Sequence, residues 1–235
     1  SRPDFLATMT IQRTISPVDD RVYVERTLAT HVQIEAALAG ARLAQRVWRK
    51  VTMAERAAIL SRFCDAFESH GDAIAEELTW QMGRPLRYAP SEVRGTLERA
   101  RHMIAIASAA LADIDVGPKA GFRRFLRREP LGVVFTVAAW DYPYLIAVNS
   151  VVPALMAGNV VVLKHSAQTP LCAERFEECL REAGLPEGAF QALHLSHADT
   201  ERVIGDSRVD FVAFTGSVAG GHAVQRAAAS RFIGT

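Results

Sequence analysis

The sequence predicts an α/β fold: a Rossmann-like parallel sheet with flanking helices, preceded by a helical amino-terminal segment. Two observations carry this expectation. From Leu131 onward, short and continuous apolar runs alternate with helical stretches, and strand-helix-strand repetition at this spacing implies parallel strands joined by right-handed crossovers. Upstream of that point, apolar residues recur at three-to-four spacing or its multiples, the signature of helices with one buried face.

The elements follow in order. Residues 1 to about 30 are mixed, with a turn-like Ser16-Pro17-Val18-Asp19-Asp20. Ile34, Leu38, Ala41 and Trp48 mark a first helix face. Thr52-Met53-Ala54-Glu55 is a capping box opening a helix through Ile59, Phe63, Ala66 and Phe67, with Gly71 as its expected end. A third helix runs toward Gly83, with Pro85 just beyond. Val93, Leu97, Ala100, Ile104, Ala107 and Leu111 form the clearest stripe. All of these are assigned to core packing.

The texture changes near Gly117-Pro118. Phe122 to Arg128 is short, aromatic and arginine-rich, as in an exposed edge strand protected by charge. Gly132 to Ala138 is apolar throughout, as expected of a strand covered on both faces. A helix is expected from Tyr144 to Ala157, closed by Gly158-Asn159, then a strand at Val160 to Leu163. Thr169-Pro170 opens a helix by cap and first-turn proline, and Gly184 closes it. Phe190 to Leu195 and Val209 to Phe214 are strands around a short helix bearing Val203 and Ile204. Gly216 leads into a last helix through Val224 and Ala228. The resulting division is 1–120 helical, 121–130 an oligomerisation-type strand, and 131–235 the Rossmann-like part.

Composition narrows the function. The chain has 235 residues, 49% of them hydrophobic, and 27 Lys+Arg against 26 Asp+Glu. Balanced charge gives no global basic bias toward nucleic acid. No apolar stretch reads as a membrane span, and residues Ser1 to Thr10 carry no signal-peptide pattern. Ser1 in place of Met suggests that a starting Met is missing. Three cysteines, Cys64, Cys172 and Cys179, without a CxxC, argue against a disulfide framework or structural zinc and for a reducing cytoplasm. His194 and His197 form an HxxH pair with no ligand cluster to complete it, so no metal is expected.

In an open parallel sheet, ligands bind beyond the carboxyl ends of the strands. Three segments are expected there: Ala139-Trp140-Asp141-Tyr142-Pro143, Lys164-His165-Ser166-Ala167 and Phe214-Thr215-Gly216-Ser217, the last followed by Gly221. A glycine turn entering a helix lets backbone N–H groups and the helix amino terminus meet phosphate. Taken singly, each is a weak signal: such a turn is often only a turn, and a strand-end lysine is often a solvated charge.

Taken together, with Pro153-Ala154-Leu155-Met156-Ala157-Gly158-Asn159, Thr169-Pro170 and the upstream Gly83-Arg84-Pro85 and Glu92, they resemble the aldehyde dehydrogenase superfamily in order and spacing over nearly the whole chain. That family shows P-W-N-x-P, P-A-L-x-x-G-N, K-P-S-E, T-P and F-T-G-S. The resemblance implies oxidation of an aldehyde to an acid with NAD or NADP, in a homo-oligomer. It implies that Lys164 contacts the adenosine ribose, that Ser217 and Gly216 hold the pyrophosphate, and that Trp140 lines the cofactor side. Ser166, Ala167, Phe214, Thr215 and Gly221 complete the implied cofactor-binding set. Position 141 would help form the oxyanion hole, and the arginine-rich strand would belong to the subunit-pairing arm. The run from Lys164 to Pro170 looks like bacterial semialdehyde-type members.

Three departures follow from the same resemblance. The family's catalytic glutamate and cysteine come later than Phe232-Ile233-Gly234-Thr235, and none of the three cysteines here sits in a matching motif. The chain alone is therefore expected to lack nucleophile and base, and to be inactive. Asp141 stands where the family has Asn. Ala167 stands where many NAD-preferring members have glutamate, so NADP is expected to be tolerated. The competing reading is a short non-catalytic homologue that binds nucleotide or pairs with a full-length relative; against it, such a chain would strand Arg231 to Thr235 and expose an apolar sheet face. A different Rossmann dehydrogenase is disfavoured because no GxGxxG follows an early strand.

Overall fold

The structure, a computed structural model, describes residues 10–235; the expectation about the first residues falls mainly outside this range. Buried apolar runs become the central sheet. Strands β5 (Val133–Ala138), β6 (Val160–His165), β7 (Phe190–Ala192) and β8 (Phe211–Phe214) are parallel, in the spatial order β7-β6-β5-β8. Every residue of β5 and β6 is buried, as their continuous hydrophobicity requires. Helices α5 (Pro143–Met156), α6 (Pro170–Glu182) and α7 (His197–Gly205) make the crossovers, and α8 (Val218–Ala228) follows β8. The chain steps outward from β5 to β6 and β7, then returns to the other side of β5 with β8. That reversal opens a crevice at the carboxyl ends of β5 and β8.

The amino-terminal helices are α1 (His31–Trp48), α2 (Met53–Ser69), α3 (Gly71–Met82) and α4 (Ala89–Ala110). Helix α1 packs on β5, β6 and β7, α2 packs on α5 and α6, and α4 packs on α5. The Thr52–Glu55 capping box forms as expected, and Thr30 with Gln33 forms a second one that the sequence reading missed. Trp48 is fully buried and its Nε1 donates to the Leu155 carbonyl at 3.0 Å. Phe63, Phe67, Phe176 and Tyr144 form one aromatic cluster with ring centroids 5.1 to 6.1 Å apart, within the range of favourable aromatic pairing.

Several boundaries differ from expectation. The mixed segment before residue 30 contains a hairpin, β1 (Ile11–Ile15) with β2 (Val22–Thr27), so the part up to residue 120 is not purely helical. Gly71 starts α3 rather than ending α2, which is capped by His70. Ile104 and Leu111 are only partly buried. The arginine-rich strand shrinks to β4 (Phe125–Leu126), pairing only with β3 (Ile114–Asp115), while Arg123 and Arg127 lie over the Phe125 ring. Strands β7 and β8 are shorter than expected. Thr169 makes no capping bond; its hydroxyl turns to His165 instead. Arg231 to Thr235 is not stranded: Gly234 pairs with Phe211 alongside β8, and its carbonyl accepts from the Val212 N–H at 3.0 Å.

The hairpin is docked by polar contacts. Arg26 of β2 grips Glu174 of α6 through two bonds of 2.7 and 2.8 Å, and His194 adds a third at 2.9 Å. Burial opposes ionisation of Glu174, but the bonds from His194 and Arg26 outweigh it and bring its carboxyl down to about 2. His194 is thereby committed to a carboxylate. The Thr14 hydroxyl donates to the Ala167 carbonyl at 2.8 Å, which ties the hairpin to the loop after β6. Among the described residues, no helix is long and apolar enough to cross a membrane.

Candidate functional site

A cleft of about 730 Å³ lies at the carboxyl ends of β5, β6 and β8. Its walls include Trp140, Asp141, Lys164, Ser166, Phe214, Thr215, Gly216 and Ser217. Eight of the ten sequence-predicted site residues are thus brought together. Ala167 and Gly221 are not in the lining; Ala167 is exposed with its carbonyl held by Thr14. Helix α7 contributes His197, Thr200, Glu201 and Ile204, and α8 contributes Gly220, Ala223 and Val224. Sequence reasoning missed these, because a short amphipathic helix gives no hint of which ligand it faces.

Lys164 is not the solvated charge that a strand-end lysine often is. It is only 8% exposed, it lines the cleft, and among the described residues it has no ion-pair partner. Burial lowers the pKa of its ammonium, because the charged form loses hydration. A buried cation facing a cleft is set to receive an anionic or hydroxyl-rich ligand.

The opposite wall is the turn from β8 into α8. The Ser217 Oγ accepts from the Gly220 N–H at 3.1 Å as the helix cap, leaving its own O–H free to donate. The first N–H groups of a helix have no internal partner, and its dipole favours negative charge there. The Phe214 ring packs directly under this turn: a Cβ on Gly216 or Gly220 would stand 2.7 Å from its Cζ. The glycines are needed for that close approach. Lys164 and this helix terminus share one cleft, a donor set suited to a phosphate-bearing nucleotide.

The Trp140-Asp141-Tyr142 loop is fixed from below. Glu92 of α4 is 1% exposed, and its Oε1 accepts from the Tyr144 N–H at 2.9 Å. Arg84 Nη1 lies 2.5 Å from the Glu92 Oε2, an ion contact off the hydrogen-bonding direction. Burial raises the pKa of the Glu92 carboxyl, opposed by Arg84 and by the N–H groups of Tyr144 and Leu145. Arg84 then donates to the Asp141 carbonyl at 3.2 Å and lies 4.7 Å from the Tyr142 ring centroid. The Asp141 side chain itself stays on the exposed cleft wall.

His165, where the family pattern has proline, braces the same loop. The Ser166 N–H donates to its Nδ1 at 2.9 Å, so Nδ1 is the unprotonated nitrogen. Its Nε2 then carries the hydrogen and donates to the Pro143 carbonyl at 3.1 Å. Complete burial pushes the imidazole pKa down to about 4, against the opposing bond to the Pro143 carbonyl, because the imidazolium would lose its hydration. The unfolded chain takes up this proton near the ordinary histidine range and the folded chain near 4. The contribution is intact above about 6.5 and is lost as pH falls toward 4, amounting to roughly 3 kcal/mol. Urea unfolding at successive pH values is expected to show His165→Gln with a shallower loss of stability across this window than the parent; parallel curves would contradict it.

Cys64, Cys172 and Cys179 are fully buried in the core, and none lines the cleft. Burial pushes Cys64 up to about 11, Cys179 up to about 12, and Cys172 upward as well. All three are therefore protonated and inert near neutral pH.

A doubly wound sheet with a cationic cleft and a glycine-rich helix entrance defines a nucleotide-binding type of α/β fold. The chain belongs to the aldehyde dehydrogenase family, whose sequence model matches residues 7–234. It is similar to the succinate-semialdehyde dehydrogenase [NADP(+)] 1 of Mycobacterium bovis, at 34% identity over 216 residues, covering 90% of this chain and 47% of that protein. Among solved structures, a succinic semialdehyde dehydrogenase from Streptococcus pyogenes in complex with NADP+ superposes with a TM-score of 0.90 at 29% identity, covering 95% of this chain and 49% of that one. An NAD-dependent benzaldehyde dehydrogenase from Corynebacterium glutamicum gives 0.87 at 27% identity, over 93% and 47%. The chain spans about half the length of the curated relatives that it matches.

Proposed function

We propose that this chain forms the nucleotide-binding half of an NADP-accepting oxidoreductase that converts a semialdehyde to its acid. The carrying observation is the buried, unpaired Lys164 facing the amino terminus of α8 across one cleft. NADP relatives and a NADP+-bound neighbour support the choice of ligand, as does the absence of a carboxylate at Ala167 to repel a 2′-phosphate. In this reading Lys164 and Ser166 take the ribose end, Thr215, Gly216 and Ser217 take the phosphates, and Trp140 covers the nicotinamide side. The nucleotide, when bound, would supply the hydride acceptor for aldehyde oxidation. Asp141 occupies the wall where the reacting carbonyl oxygen would lie.

Calorimetric titration tests this. NADP is expected to bind no more than tenfold more weakly than NAD, a gap of about 1.4 kcal/mol. Lys164→Met is expected to weaken NADP at least tenfold. Equal affinity of parent and variant would remove Lys164 from the site.

The buried cysteines favour a further statement: this chain by itself brings no reactive thiol to the cleft and turns over no aldehyde. Measurable NADPH production by the purified chain with succinate semialdehyde would refute it. Asp141, which places a carboxylate on the wall where a donor is expected, favours a second reading, a nucleotide-binding or subunit-pairing homologue without catalysis. The exposed Phe122 and Leu126 beside β3 and β4 are the proposed subunit contact of a cytoplasmic oligomer.

A further inference from the structure

A second polar pocket, of about 270 Å³, opens at the amino ends of β5 and β8, the opposite end of the sheet from the cleft. One turn after another, α1 presents Arg42, Gln45 and Arg46 to it, followed by Arg49 at the helix's C-cap. The facing wall is the entry to β5 and β8. There Asp210 Oδ2 accepts from the Val133 N–H at 2.8 Å and pairs with Arg42 at 2.5 Å. It sits so close that a Cβ on Gly132 would stand 1.9 Å from it, and Gly132 has a φ of 136°. This wall is built around a glycine and a fixed carboxylate.

The charges do not cancel. Asp210 answers Arg42, and Glu129 answers Arg49 at 3.2 Å. Arg46 is left over, with no ion-pair partner among the described residues. Gln45 adds a neutral donor to the same wall. It is 8% exposed and lines the pocket, yet its side-chain amide makes no hydrogen bond among the described residues. Its amide is not sealed from solvent, so its N–H groups stay open to an acceptor in the pocket.

We infer that this pocket is a binding site for a small phosphate-class oxyanion, held by Arg46 and the Gln45 amide with Arg42 and Arg49 at its sides. Guanidinium forks match the oxygen edges of such anions, and the volume suits a phosphate or a phosphate monoester with a small alcohol. The site stands at the other end of the sheet from the nucleotide cleft, so both fill at once.

The test is calorimetric titration with inorganic phosphate and with methyl phosphate, at ionic strength fixed by chloride and with NAD present in excess. Saturable binding is expected in the parent. Arg46→Ala and Gln45→Leu are each expected to weaken it at least tenfold while NAD affinity stays the same. Arg46 is exposed, so its variant keeps the test valid if Gln45→Leu fails to fold. Tighter binding of methyl phosphate would identify a monoester as the occupant, and equal or weaker binding would identify free phosphate. No saturable binding, competition by NAD, or unchanged affinity in Arg46→Ala would each overturn the site.

Discussion

Replacing Asp141 with asparagine, in a protein that joins this chain to the family's carboxy-terminal half, is expected to raise kcat by roughly a hundred- to a thousand-fold. The loop around Asp141 is held in place independently of its side chain. Arg84 binds the Asp141 carbonyl, Glu92 holds the Tyr144 N–H, and His165 holds the Pro143 carbonyl. The side chain is therefore free to be exchanged without moving the backbone. A carboxylate offers acceptors only, whereas the asparagine amide offers two N–H donors. A donor aimed at the oxygen that gains charge strengthens as the transition state forms, so the effect falls on kcat rather than on KM. Steady-state kinetics with succinate semialdehyde and NADP would measure it. An unchanged kcat would mean that residue 141 does not face the reacting oxygen, and that Asp141 serves only the turn.

Replacing Glu92 with alanine is expected to destabilise the fold by about 3–5 kcal/mol, the usual cost of leaving one member of a buried ion pair behind. Glu92 is 1% exposed, and the Arg84 side chain is 12% exposed. Removing the carboxylate strands the guanidinium and leaves the Tyr144 N–H at the start of α5 without an acceptor. Urea unfolding with an unchanged m value would report the loss as a shift in midpoint. Arg84→Met combined with Glu92→Ala should recover part of the loss, because both charges are then gone. A loss under about 1 kcal/mol in the single variant, within the range of an ordinary surface change, would show that water reaches Arg84 and that the pair does not brace the loop.

Much of this architecture could be read before any coordinates. Continuous apolar runs at Gly132 to Ala138 and Val160 to Leu163 had to be interior strands, and the Thr52 box had to open α2. The β1–β2 hairpin was not readable. Ile11, Ile15 and Val22 are about half exposed, so no alternation of apolar and polar residues marks a buried face. The hairpin is held by Arg26 on Glu174 and Thr14 on the Ala167 carbonyl, contacts across some 150 residues that local patterning does not record. The two-residue β3–β4 ladder was overestimated for the opposite reason. Four arginines and two phenylalanines look like a strand, but the pairing partner is only Ile114–Asp115.

The sequence by itself determined the fold class, the family and eight of the cleft-wall residues, since periodicity and motif order are local properties of the chain. Only the tertiary structure decided that Lys164 is buried and unpaired, that the α7 side chains share its cleft, that Glu92 and Arg84 brace the Asp141 loop, and that Gln45 faces a basic pocket at the far end of the sheet. Those are statements about desolvation and about which charges find partners, and both depend on what the rest of the chain packs against each group.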